Sequence, residues 1–205
     1  MSDVILVGAA GAPMKPRGRL IFALDATASR EPGWDVAVKL QAEMFRSTAP
    51  IGMLSVQLVY YRGDGECRAS RWVESGEQLA QLMHKISCVG GITQIGKVLQ
   101  HAQRETEKAP VQALIFIGDA MEEEPDKLAG TAAELGRLHT PVHTFLEGHN
   151  AKAQAAFRLI SLRSGGQFHR FGIGTPQAVA QLGAKLGEVA RVAVRAALLT
   201  HRSNG

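Results

Sequence analysis

The sequence predicts an α/β domain: a three-layer, doubly wound sheet of about six strands, mostly parallel with one antiparallel edge strand, and helices on both faces. Three observations predict it. From Arg19 onward short apolar runs alternate with amphipathic segments, the order that a βα-repeating parallel sheet requires. Two runs, "RLIFALD" and "VQALIFIGD", are apolar almost without interruption, as strands covered on both faces must be. One pair of runs is joined by a linker short enough only for a hairpin, which forces those two strands to be antiparallel.

In chain order, the strand at 19–25 leads to a helix beginning near Pro32, whose Val36, Leu40 and Met44 share one face. Strands at 54–61 and 67–73 flank "RGDGE", the hairpin linker. Helical segments at 75–86 and 93–108 come next, then the apolar strand at 111–119, expected beside the first strand in the sheet centre. A helix near 126–138, a strand at 141–146, a helix near 151–163, a short strand at 167–172 and a long helix from Pro176 complete the chain. On that last helix Leu182, Leu186, Val189 and Ala193 form a stripe read as core contact. Residues 1–17 read as an N-terminal tail and 18–205 as one domain.

Composition narrows the function classes. With 205 residues, 45% hydrophobic and 20% charged, the chain is long enough for a real core and far from the disordered or fibrous extremes. Net charge is +4 and aromatics are only 5%, with no basic run interleaved with aromatics, so no nucleic-acid partner is expected. Cys67 and Cys88 lack CxxC spacing, which suits a reducing compartment and a cytoplasmic location. The start "MSDVILVGAAGAP" carries Asp3 where a signal peptide has a basic region. Residues 176–200 are interrupted by Lys185, Glu188, Arg191 and Arg195, so no membrane span is expected.

The polar residues cluster where such sheets place ligands, at the carboxyl ends of central strands. Two central strands end in aspartate, Asp25 and Asp119, and "DATAS" puts Asp25, Thr27 and Ser29 at alternate positions. Gly90 and Gly91 permit a tight loop that brings Thr93 to the same rim, at an expected helix start. Carboxylate and hydroxyl oxygens together suit a small hard cation, since magnesium takes an octahedron of oxygens.

The three separated elements resemble the metal-ion-dependent adhesion site of von Willebrand factor type A domains, written D-x-S-x-S, then a distant Thr, then a distant Asp. Here they read Asp25-Ala-Thr27-Ala-Ser29, Thr93 in "GGITQIGKVL" and Asp119 in "LIFIGDAMEE". "RSGGQFHRF" is similar to the family's closing strand, and the resemblance covers roughly residues 18 to 200. Thr27 stands where the family usually has serine and Ala120 where glycine is common. The resemblance implies magnesium, or manganese or calcium, held by Asp25, Thr27, Ser29, Thr93 and Asp119. It also implies an open coordination position filled by an Asp or Glu of a protein partner, in settings such as complexes with AAA-type ATPases.

Other readings are weighed by their chemistry. A haloacid-dehalogenase-like, magnesium-dependent phosphatase would use Asp25 as nucleophile, but its general acid two residues on is replaced by Thr27. No GxGxxG follows the first strand and no Ser/His/Asp order stands out, so a binding module is expected and not an enzyme. The Thr27 replacement leaves a structural subunit without metal dependence as a third reading. "EEEPD" (122–126) reads as a solvated acidic helix start, "RGD" (62–64) as hairpin chemistry, and His139 and His143 as no metal pair, because Pro141 separates them.

Overall fold

The computed structural model describes residues 17–203 of the chain. The strands are β1 (Arg17–Asp25), β2 (Met53–Arg62), β3 (Glu66–Val73), β4 (Ala113–Gly118), β5 (Val142–Glu147) and β6 (Phe168–Phe171). The helices are α1 (Glu31–Thr48), α2 (Gly76–Met83), α3 (Ile95–Lys108), α4 (Pro125–Arg137), α5 (Ala151–Ser164) and α6 (Pro176–Ser203). The strands form one sheet in the order β3-β2-β1-β4-β5-β6. Among the described residues only the β2–β3 hairpin pairs antiparallel. The expected tail, apart from Arg17, lies outside the described residues.

Alternation along each strand sorts the core into two layers. Leu20, Phe22 and Leu24 of β1, with Ile115 and Ile117 of β4, point to the layer under α1 and α6. Ile21 and Ala23, with Leu114 and Phe116, point to the layer under α3, α4 and α5. Every one of these side chains is buried, which explains why β1 and β4 read as unbroken apolar runs and not as alternating ones. Burying a side chain of this size contributes about 1.5–3 kcal/mol against leaving it in water. Leu182, Leu186, Val189 and Ala193 are buried as the stripe predicts, and α6 packs across α1 and β1.

The strand order places the site. β1 lies between β2 and β4, so the chain leaves the end of β1 on one side and returns beside it on the other. The switch point thus lies at the carboxyl ends of β1 and β4, where open α/β sheets form the crevice that takes ligands. Among the described residues no helix is long and apolar enough to cross a membrane.

Candidate metal centre

Asp25 is the last residue of β1, pairs in register with Tyr61 and is 1% exposed. Both its carboxylate oxygens are used. The backbone N–H of Thr27 donates to Oδ1 and the Tyr61 hydroxyl donates to Oδ2, each at 2.8 Å. Burial raises the Asp25 pKa; the hydrogen bonds from Thr27 and Tyr61 work against that, and the charge of Asp119 adds to it. A cation on this carboxylate would relieve both the desolvation and the repulsion.

Beyond Asp25 the chain turns through a 3-10 turn, Ala28–Arg30, closed by Arg30 N–H donating to the Thr27 carbonyl at 3.0 Å. This turn brings the Thr27 and Ser29 hydroxyls to 3.2 Å from each other. Thr27 is buried and Ser29 is exposed, so the pair runs from the interior to the surface.

Asp119 follows directly on β4, and its Oδ1 is buried without a hydrogen-bond partner. A buried carboxylate oxygen left unpaired costs free energy unless something fills the position. Thr93, also buried, belongs to the next loop along. Its backbone N–H donates to Glu122 Oε2 at 2.9 Å, while Glu122 N–H donates to its Oγ1 at 3.0 Å. This reciprocal pair ties Thr93 to the loop that carries Asp119.

Two expectations are corrected here. Thr93 does not start α3: the helix begins at Ile95, and the residue before it, Gln94, makes no side-chain cap. Nor is the acidic run only a solvated helix start, since Glu123 accepts from Ile95 N–H at 2.5 Å and Gly96 N–H at 2.9 Å. The free N–H groups of α3 need acceptors, and a glutamate from a different loop supplies them. Burial raises the Glu123 pKa, with these hydrogen bonds opposing. The RGD segment is the hairpin expected, with Gly63 at φ 57 in the turn and Arg62 bonded to Glu66 at 2.8 Å.

Sequence reasoning missed four residues of this rim. Tyr61 orients Asp25. Arg30 is only 3% exposed and forms an ion pair with Glu147, the last residue of β5. Burial lowers the Arg30 pKa, and the charges of Asp119 and then Asp25 raise it. Gly33 makes room for the pair, because a Cβ there would lie 2.8 Å from Glu147 Oε2 and 3.3 Å from the Arg30 guanidinium. The available signal was an arginine in a loop otherwise built of small residues, three positions before a glycine.

Among the described residues no three His, Cys, Asp or Glu side chains converge as a metal cage would. The rim offers a different donor set: two carboxylates, Asp25 and Asp119, with the hydroxyls of Thr27, Ser29 and Thr93. That set and the unpaired Oδ1 of Asp119 fit a hard divalent cation that keeps some of its waters.

No family model matches the chain and no curated protein matches its sequence. Solved structures do resemble it. A von Willebrand factor type A protein from Catenulispora acidiphila superposes with a TM-score of 0.67 at 16% identity, over 87% of this chain and 43% of that one. The SpRpn10 VWA domain gives 0.63 at 13%, over 83% and 97%. Proximal thread matrix protein 1 of the mussel byssus, in a structure with a zinc-occupied adhesion motif, gives 0.64 at 15%, over 88% and 46%. At these identities the likeness concerns architecture alone, and the architecture is that of a von Willebrand factor type A domain.

Proposed function

We propose that this chain is a protein-binding module that recognises an acidic side chain of a partner through a divalent cation held at the rim of β1 and β4. The observation that carries the reading is the buried, unpaired Oδ1 of Asp119, in a crevice shared with Asp25 and the paired hydroxyls of Thr27 and Ser29. When bound, the cation supplies a Lewis-acidic position for a carboxylate from outside, because hydroxyl ligands leave it with most of its charge.

The chain's own residues do the rest. Tyr61 and the Thr27 N–H hold the Asp25 carboxylate in one orientation. Glu122 and Glu123 tie the Thr93 loop and the start of α3 to the loop that carries Asp119. Val89 and Ile92, 44% and 56% exposed, stand on that loop as an apolar lip of the kind a protein contact uses. The resemblance to proteins that use such sites favours an intracellular complex, one with an AAA-type ATPase being an example, and the two free cysteines support a reducing compartment. Thr27 stands two residues after Asp25, where a phosphatase of this kind would carry its general acid, which favours binding over hydrolysis.

Isothermal titration with magnesium and with manganese tests the site. Wild type should bind with an affinity that falls at least about tenfold in Asp25→Ala and in Thr93→Ala, each of which removes a ligand. Equal binding by wild type and variants would sink the reading. A second reading, partner binding without metal, is favoured by Arg30, which already sets a positive charge beside the aspartates. Partner capture from lysate that is unchanged by a chelator would select it.

A further inference from the structure

Arg30 has no place in the ligand set, yet its position is over-determined. It leaves the loop after β1, is 3% exposed, and reaches a carboxylate at the end of β5. β4 lies between β1 and β5, so the side chain crosses the rim past Asp119. Its Nε is buried without a hydrogen-bond partner, as is Asp119 Oδ1. Gly33 supplies the space that a Cβ would take from the Arg30–Glu147 pair.

The charges of this assembly balance in a particular way. Asp25, Asp119 and Glu147 bring three negative charges and Arg30 one positive, which leaves two for a divalent ion. Glu147 accounts for the charge of Arg30, but the guanidinium still lies close enough to Asp119 and Asp25 to feel both. Charges in a site this buried interact far more strongly than at the surface.

We propose that Arg30 sets the affinity of the metal centre: it is a fixed cation, held back by Glu147, against which an incoming divalent ion competes for Asp25 and Asp119. This deepens the metal-binding reading above and rests on it. Two single substitutions should act in opposite directions. Arg30→Met removes the competing charge and should tighten magnesium and manganese binding about tenfold or more, whereas Glu147→Gln frees Arg30 to serve the aspartates and should weaken it by a similar factor. The double variant should bind more tightly than Glu147→Gln, since it lacks the freed Arg30.

Titration calorimetry on the purified chain reads these shifts, with far-ultraviolet circular dichroism to verify the fold. Arg30→Met leaves Glu147 half-buried without its partner, which is destabilising. If that variant does not fold, the double variant carries the same comparison against Glu147→Gln. Affinities within twofold of wild type in all variants would overturn the proposal and leave the metal site standing. Binding gained in Arg30→Met or the double variant when wild type shows none would uphold the role of Arg30 and overturn the wild-type site. No binding in any variant would overturn both.

Discussion

His143 shows how much a single side chain can carry unnoticed. Strand alternation puts it on the same face of β5 as Phe145. It is 9% exposed, and its Nδ1 is buried without a hydrogen-bond partner. Burial, then the neighbouring His169, lower its pKa to about 4, with Glu188 of α6 opposing. The unfolded chain therefore binds a proton that the folded chain refuses between 6.5 and about 4. This contribution to stability is complete above the unfolded value and is lost as pH falls through that window, to a limit of about 3 kcal/mol. Chemical denaturation from pH 7 to 4 should show that slope in wild type and a flatter one in His143→Leu; parallel slopes would contradict the assignment. The sequence excluded His143 as half of a helical metal pair, but nothing local announced its burial. Asp25, Thr27 and Ser29 were legible because their spacing and their place at a strand end are local facts. Arg30 and Glu147 were not, because the sheet order that makes them neighbours is a property of the whole chain.

At the scale of elements, boundaries moved where a capping partner came from elsewhere. The alternation of apolar runs located every strand and helix, but α3 starts at Ile95, two residues past Thr93. The sequence shows a threonine before a helical pattern, which is a good cap signal. The fold instead gives those N–H groups to Glu123, and an acceptor from another loop leaves no mark beside the helix it caps. Helix ends otherwise follow their local chemistry. α5 ends on Gly165 at φ 79. At the end of α4 the Thr140 N–H donates to the Leu135 carbonyl and the His139 N–H to the Gly136 carbonyl, with His139 at φ 58, a conformation that costs a non-glycine residue energy. Replacing Glu123 isolates the cross-loop cap. Glu123→Ala removes two hydrogen bonds from a charged acceptor and should lower unfolding free energy by about 1–2 kcal/mol. It should also weaken metal binding, because the loop that carries Asp119 loses its anchor to the start of α3. A thermal melt and a magnesium titration together check this; a stability loss with unchanged metal affinity would show that Thr93 is held by Glu122 alone.

For the whole molecule, the site is a consequence of strand order. Placing β1 between β2 and β4 brings Asp25 and Asp119 onto one rim, and the hairpin then fixes what surrounds them. Val89 N–H donates to the Ala26 carbonyl at 3.0 Å, and Gly63 N–H in the hairpin turn reaches the Val89 carbonyl at 3.5 Å. Gly91 packs so closely on Gly63 that no Cβ would fit. The loop bearing Val89 and Ile92 is thus fastened both to the aspartate loop and to the hairpin, so its exposed apolar side chains keep a fixed place beside the crevice. Residues held rigidly in that way contribute to binding without paying to be ordered on contact. If the partner meets the protein through this rim, Ile92→Asp should lower its affinity by about tenfold or more through lost apolar contact and repulsion of the partner's carboxylate. Metal affinity should change far less, because Ile92 supplies no ligand. Pull-down with magnesium, set beside calorimetry on the same variant, separates the two effects. Undiminished partner capture by Ile92→Asp would place the contact elsewhere on the molecule.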